Sequence, residues 1–470
     1  MVNQQMTPRE RQAAISLAAI FSLRMLGLFM ILPVFSLYAS ELKGVTPLLI
    51  GIAIGAYGLT QALLQIPFGM LSDRIGRKPI IIVGLVIFAI GSVVAARADT
   101  ITGVIIGRAI QGSGAIAAAV MALAADLTRE EHRTKAMAMI GASIGLSFAV
   151  SLALGPVFNH LIGVPGIFWL TGVLALAGIA VVWFAVPQPV RTRRHRDAET
   201  APEQLRTALG SGELLRLDLG IFVLHMMLTA TFVVLPLVVR DHAGLAAAHH
   251  WYLYAPTLLI ALVAMVPFVI IAEKRRKMKQ VFLGAILVIA LAELEFTVSY
   301  ASLIGIVIGL FVFFTAFNVL EATLPSLIAK TAPAHMKGTA MGIYSTSQFL
   351  GAFCGGVAGG ALYGSFGIAS VFIFCATVAT IWMLVAMTMA DPRYVASLIL
   401  NVGSIDEQRA RELATHLAGI QGVEEAVVIA GDGVAYLKVD NGLLDREAVY
   451  KYSADDDLAA EAAPEKPQQR

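Results

Sequence analysis

The chain has 470 residues, 58% of them hydrophobic and only 14% charged, with a mean hydropathy of +0.78. Soluble domains carry roughly 25% charged residues, and no soluble core can hide this excess of apolar side chains, so lipid must be the solvent for much of the chain. The formal net charge of +2 gives no pointer to nucleic acid, and Cys354 and Cys375, both in apolar stretches, read as lipid- or core-facing thiols rather than a disulfide or a metal site.

Apolar runs of about 20 residues, the length that spans a bilayer, recur along most of the chain. They predict twelve transmembrane helices, at 13–38, 47–70, 78–97, 101–125, 136–160, 165–186, 216–239, 250–272, 280–299, 302–328, 338–363 and 367–390. The first run is long and no small-residue cleavage site follows it, unlike a cleaved signal peptide. With the N-terminus inside, the inner segments hold Arg9 and Arg11; Arg74, Arg77 and Lys78; Arg129, Arg133 and Lys135; the arginines from Arg191 to Arg216; the basic run Lys274 to Lys279; and Lys330 and Lys337. The outer loops hold only Lys43, Arg97 and Arg240. Positive residues stay on the cytoplasmic side, so the N-terminus is expected there, and with an even number of spans the C-terminus too.

The arginine cluster RTRRHR at 191–196 lies in a polar linker, 188–215, between two six-helix halves, 1–187 and 216–391. An internal echo agrees: Lys135, Ala138 and Met139 match Lys337, Ala340 and Met341, and Gly163 and Gly166 match Gly364 and Gly367. An offset of about 200 residues suits parallel repeats of six spans. Residues 392–453 then change character: a strand at 394–402, a charged helix at 405–418 with Ser404 as N-cap, two strands at 423–430 and 434–440 around Gly431-Asp432-Gly433, and a short helix at 443–450. The order β-α-β-β-α predicts a small α+β ferredoxin-like domain. The tail 454–470 has the composition of a disordered segment.

Between the second and third runs the chain reads Gly69-Met70-Leu71-Ser72-Asp73-Arg74-Ile75-Gly76-Arg77-Lys78-Pro79. This resembles motif A of the major facilitator superfamily. Arg108-Ala109-Ile110-Gln111-Gly112-Ser113-Gly114 resembles its motif B, and Gly141, Gly145, Gly155 and Pro156 resemble motif C of the drug–proton antiporter branch. Phe158-Asn159 stands where that branch usually has paired glycines, and helix 1 offers Arg24 where an acid is usual. The resemblance implies an all-α, twelve-helix membrane transporter in a bacterial inner membrane. Its motif A implies a conformational latch built from Gly69, Asp73, Arg74, Gly76 and Arg77, with Asp126 as a partner for Arg77. Asp73 is placed to meet the N-terminal dipole of helix 11, whose stripes Gly351, Gly355, Gly359 and Gly356, Gly360, Gly364 permit close packing, Gly69 on helix 2 doing the same. Motif B contributes Arg108 and Gly112. The C-terminal domain resembles heavy-metal-associated domains in its element order, but 394–453 contains no cysteine, so soft-metal binding is not expected.

Polar groups inside the spans need a reason, since a charge at the bilayer centre costs roughly 2.5–3.5 kcal/mol on insertion scales. Arg24, Gln61, His225, Asn318 and Glu321 are the proton and substrate cavity candidates. A carboxyl group out of water can exchange a proton near neutral pH, which singles out Glu321, with His225 as the alternative. Glu293 and Glu295 are two apart and cannot share a helix face. Phe29, Tyr57, Phe148, Phe232, Tyr254, Phe313 and Phe317 could line an apolar cavity. No G-x-x-x-x-G-K-[ST] loop is present, so ATP is not the evident energy source. No nucleophile–base set or metal-ligand cluster points to an enzyme, a cofactor or a metal. The expected partners are a small-molecule substrate, protons and the lipid bilayer, with self-association through the C-terminal domain open. The reading is proton-coupled efflux of small lipophilic or amphipathic compounds. A proton-coupled transporter of a defined polar metabolite, and a sensor signalling through the soluble domain, are the alternatives.

Overall fold

In a computed structural model of the protein, the described residues are 6–188, 202–333, 336–392, 396–403, 405–431, 433–440 and 442–454. Among them, eleven helices are long and apolar enough to cross a membrane. One of these is double length: α7 (Glu130–Phe184) turns at Gly163, whose φ of 68° is open to glycine, and so supplies two spans. The other spanning segments of the first half are α1 (Pro8–Phe29), α3 (Pro47–Ile75), α4 (Arg77–Ala96) and the pair α5 (Ile101–Ser113) and α6 (Ala117–Leu127). A short α2 (Phe35–Ala39) follows α1. The second half holds α9 (Gly212–Asp241), α10 (His250–Lys274), α11 (Met278–Ser299), α12 (Leu303–Thr331), α13 (Lys337–Phe366) and α14 (Ile368–Met387), preceded by α8 (Pro202–Leu209). Residues 189–201 of the expected linker lie outside the described residues; its remainder holds α8 and the first turn of α9.

Local chemistry sets the ends. Thr7 accepts from the Glu10 amide while Glu10 Oε2 accepts from the Thr7 amide, a capping box that starts α1 five residues earlier than the apolar run alone predicts. The fourth span is interrupted at Gly114, packed so tightly on Gly84 that a Cβ would meet its carbonyl oxygen at 2.2 Å. Gly367, with φ 83°, turns α13 into α14 as Gly163 turns the two parts of α7. The structural equivalent of Gly163 is therefore Gly367, not the Gly364 that the sequence echo pairs with it.

The loops rich in arginine and lysine gather at one end of the bundle. There Lys78 Nζ donates to Val186 O (2.5 Å), Arg9 to Gln188 O (2.7 Å), and Glu10 accepts from the Arg129 amide (2.9 Å) and Nε (3.1 Å). At the opposite end, Lys43 and Thr100 pair their backbones.

The two halves close on each other toward that opposite end. Gly51 and Gly356 meet backbone to backbone, Gly55 and Gly58 receive Phe353 and Phe349, and Gly360 lies against Pro47 and Leu48. The other stripe of α13 stays within its own half: Gly351, Gly355 and Gly359 sit on Phe222, Met226 and Ala230 of α9. Gly69 has the Ala118 Cβ of α6 as its nearest neighbour, 3.0 Å from a built Cβ, so in this conformation its missing side chain admits a helix of its own half.

Past the spans, β1 (Ala396–Asn401), α15 (Glu407–Ala418), β2 (Val423–Ile429), β3 (Val434–Val439) and α16 (Arg446–Tyr450) make a separate small unit. Its three-stranded sheet runs β1-β3-β2, antiparallel throughout. Asp406, not Ser404, caps α15, accepting from the Arg409 amide at 2.7 Å; Ser404 is outside the described residues. The unit touches the basic end: Lys438 Nζ donates to the terminal carbonyls of α12, Lys330 O (2.8 Å) and Thr331 O (3.5 Å), Arg276 pairs with Asp440 at 3.4 Å, and β1 lies against α7. A lysine at a helix C-terminus satisfies orphan carbonyls and complements the dipole. The expected disordered tail falls almost wholly outside the described residues.

Candidate functional site

The motif between α3 and α4 is built on a single glycine turn. Gly76, with φ 108°, ends α3 and starts α4, a conformation that a Cβ would strain. The turn folds Arg77 back under α3, where it is almost fully buried. Its Nη1 donates to Ser72 Oγ (2.9 Å) and to Asp73 Oδ1, and its Nε to Asp126 Oδ2 of α6 (3.4 Å). Asp126 has no exposed side-chain surface. Removing one partner of a buried pair costs roughly 3–5 kcal/mol, so this cluster fastens the α3–α4 loop to the end of α6. Arg74 points to the exterior. Asp73 is paired with Arg77 and makes no hydrogen bond to α13 among the described residues.

A second copy of this arrangement sits 200 residues on. Glu273, at the end of α10, accepts from Lys330 Nζ (2.6 Å) and Ser326 Oγ (2.8 Å) of α12. Arg276 takes a positive φ of 54° where Gly76 turns the first copy. The sequence could have shown it, because Asp73, Arg74 and Arg77 align with Glu273, Lys274 and Lys277 at that offset.

Motif B is a helix clamp. A Cβ on Gly112 would stand 2.2 Å from both Tyr57 O and Thr60 Oγ1, so α5 and α3 touch there. Arg108 spends its donors on Ala53 O (3.4 Å), Ile54 O (3.2 Å) and Gln111 Oε1 (3.2 Å). Arg24 is 1% exposed; its Nη2 donates to Tyr57 Oη (2.7 Å) and Gln61 Oε1 (2.6 Å). The Tyr57 and Phe88 rings lie 5.7 and 5.6 Å from its guanidinium. Desolvated cation–π contacts contribute about 2 kcal/mol each, enough to offset the roughly 2.5–3.5 kcal/mol insertion cost of an arginine. Arg24 and Gln61, expected in a cavity wall, are enclosed among α1, α3 and α4 in this conformation, with Arg24 Nε and Nη1 making no hydrogen bond.

The aromatic residues are also mostly enclosed. Phe29, Phe148, Phe314 and Phe317 form one cross-half cluster, with centroids 4.8 Å apart for Phe29–Phe148 and 5.8 Å for Phe148–Phe317. Phe313, Phe232 and Tyr254 extend it into the second half. They plug the middle of the bundle rather than line an open wall.

Beside that plug, on the side of the basic loops, three helices bring polar groups together. Gln348 of α13 donates through Nε2 to His225 Nε2 of α9 (2.8 Å) and to Glu321 Oε1 of α12 (3.3 Å). His225 Nε2 and Glu321 Oε2 are 3.9 Å apart, and Phe317 lies 5.8 Å from the imidazole. The Glu321 side chain is 35% exposed, unlike the enclosed Arg24. His225 and Glu321, rivals in the sequence, are one cluster, and Gln348 is the member that sequence reasoning missed. Asn318 is one turn away, half-buried, with no side-chain hydrogen bond among the described residues. Glu293 is elsewhere, fully buried and bonded to Thr231 Oγ1 at 2.8 Å, while Glu295 is only half-buried.

A multi-helix bundle with paired loop motifs, a glycine-packed seam between halves and a mid-span polar cluster defines a transport protein. Residues 17–356 match the Major Facilitator Superfamily, and the chain belongs to that family as a multi-pass membrane transporter. It is 48% identical over 450 residues to the inner membrane transport protein YajR of Escherichia coli K12, covering 95% of this chain and 98% of that one. It is also 38% identical over 348 residues to an uncharacterised transporter of Buchnera aphidicola, covering 74% and 89%. Among solved structures it resembles a bacterial homologue of the human lysosomal transporter Spinster, with a TM-score of 0.68 at 13% identity over 82% of this chain and 97% of that one.

Proposed function

We propose that the protein exports small lipophilic or amphipathic compounds from the cytoplasm across a bacterial inner membrane, driven by proton entry. The cluster His225–Gln348–Glu321 carries this reading: an imidazole and a carboxyl group 3.9 Å apart and both held by Gln348, beside aromatic rings in mid-span, with the Glu321 side chain part-exposed. A substrate whose passage requires Glu321 to change protonation is thereby coupled to the proton gradient. The basic loops support a cytoplasmic N-terminus. On that orientation the seam of α3 and α13 closes the outer side, and this conformation faces inward.

Alternating access requires the opposite state, with the inner side closed. There we place Asp73 at the N-terminus of α13, with the Arg77–Asp126 fastening holding the loop that presents it. The domain layout read from the sequence is retained, with the C-terminal unit as a ferredoxin-like domain: a split β-α-β with β3 inserted between β1 and β2 supports it. Its contacts with α12 and α7 support a role in setting how the halves move. Transport of a defined polar metabolite remains the second reading, supported by Asn318 and Glu321 one turn apart. The test is a compound screen in proteoliposomes under an imposed pH gradient. Flux of lipophilic compounds that follows the gradient, and is lost in Glu321→Gln, supports the proposal; gradient-independent flux contradicts it.

A further inference from the structure

Gln348 makes two hydrogen bonds with a single atom, and its two acceptors are the two ionisable members of the cluster. Its Nε2 donates to His225 Nε2 at 2.8 Å and to Glu321 Oε1 at 3.3 Å. Each bond needs a lone pair. A neutral imidazole accepts at one nitrogen only, so Nε2 is bare and the ring hydrogen is on Nδ1. The other carboxyl oxygen, Glu321 Oε2, is 3.9 Å from the same Nε2 and has no hydrogen-bond partner among the described residues. The Gln348 amide and Glu321 Oε2 therefore flank one lone pair, which only one donor can hold.

The proton decides which. On the bare pair, Oε2 has no hydrogen to give and the amide holds His225. When a proton binds Oε2, the new O–H is a rival donor, and a closure of about 1 Å brings it to hydrogen-bond distance of Nε2. A carboxyl O–H is a stronger acid than an amide N–H, and so the stronger donor. If the proton then crosses, the O–H bond breaks, an N–H bond forms at Nε2, and an imidazolium faces a carboxylate. In both forms the pair has gained one proton and the Nε2 lone pair is occupied, so Gln348 loses His225. The other ionisable groups around the pair are Asp218 of α9 and Tyr344 of α13, on the side of the basic loops, and Arg24 of α1 with Tyr57 of α3 across the seam. α12 brings none but Glu321 before Lys330, and α7, which brings Phe148, has none between Lys135 and His160.

Gln348 is placed to pass this loss on. α13 lies between α9 of its own half and α3 of the other. The next residue, Phe349, has its carbonyl oxygen 2.5 Å from a Cβ built on Gly58, and its ring is 6.1 Å from that of Tyr57. From there the seam continues through Phe353, Gly356 and Gly360. We propose that Gln348 is the positioning residue that couples the proton to the seam. It ties α13 to α9 while the His225–Glu321 pair is bare; a proton on the pair displaces it and frees the turn that seats Phe349 on α3. Parting of the seam is thereby linked to proton binding. This inference rests on the proton-coupled reading and supplies the link between its proton and its moving helices.

The test uses the full chain in lipid, with the proton as probe. Isotope labelling of glutamine and histidine side-chain nitrogens lets solid-state NMR detect coupling between Gln348 Nε2 and His225 Nε2 across their hydrogen bond. The protonated-carboxyl infrared band that Glu321→Gln removes reports loading of the pair. The coupling is expected at alkaline pH and is lost as that band appears; coupling that survives loading overturns the proposal. The second measurement is the distance between spin labels on the exposed residues Lys43 and Ser365. In the wild type a longer distance gains population as the band appears, and a distance that ignores loading overturns the proposal. Gln348→Met keeps the side-chain length and donates no hydrogen bond; there the band still appears but the distance no longer follows it. A merely structural glutamine would lower the Tm and leave that response intact, so a wild-type response in Gln348→Met also overturns the proposal. All three of these contrary results leave the proton-coupled reading standing. A wild type with no titrating Glu321 band overturns the proposal and that reading together.

Discussion

Replacing Gly356 with alanine separates a contact between the halves from contacts within one half. A Cβ at Gly356 would stand 2.3 Å from Gly51 O, against the 3.4 Å at which ordinary contact begins. The obstacle is backbone, so no rotamer change relieves it, and α3 and α13 must part by about an ångström. Overpacking of this kind costs roughly 1–3 kcal/mol. If the opposite-facing state lacks the contact, the whole cost falls on the sealed state. The equilibrium then moves about 5- to 150-fold toward opening of that end, since each 1.4 kcal/mol is tenfold. Gly355→Ala is the internal control. Its Cβ would stand 2.1 Å from Met226 O, a clash at least as severe, but inside the second half, where both states bear it. Distances between spin labels on the exposed residues Lys43 and Ser365 read the outcome. Gly356→Ala should populate a longer distance, whereas Gly355→Ala should lower the Tm and leave the distribution as in the wild type. Equal distributions in Gly356→Ala and wild type, or an equal shift in Gly355→Ala, would refute the reasoning.

Three further outcomes are expected. Asp73→Asn should raise the inward-open population by at most about thirtyfold, since a partly buried charge at a helix end is worth up to about 2 kcal/mol; distances across the basic end would read this, and an unchanged distribution would confine Asp73 to folding or topology. Lys438→Ala removes the donor to Lys330 O and Thr331 O, and should raise hydrogen exchange along β3 and the end of α12, while unchanged protection would mean that this contact does not hold the domain. The C-terminal domain should not take up Cu(I) stoichiometrically in the full protein, and tight binding in a metal titration would contradict the argument from its missing thiolates.

Composition and span length were enough to read the membrane fold, because a bilayer leaves the backbone few alternatives. The turns at Gly163 and Gly367 fall at short junctions between predicted spans, where glycine allows the positive φ. What periodicity could not supply was which face of a helix meets which partner. Its charge alone points Arg24 to a cavity wall, yet two rings and a glutamine enclose it. His225 and Glu321 are separate candidates in the sequence because 96 residues of chain lie between them, and only the docking of α9, α12 and α13 around Gln348 joins them. The second copy of the loop motif was legible at the 200-residue offset, but Arg276 in place of glycine conceals it from a search for the first copy's pattern.

The most direct test of the central claim is simultaneous measurement of solute export and proton movement in proteoliposomes, with a pH dye inside and protein orientation controlled. The account predicts that protons move opposite to the solute, that reversing the pH gradient reverses the solute flux, and that Glu321→Gln abolishes both. Solute flux with no accompanying proton movement, or protons moving in the same direction as the solute, would contradict it.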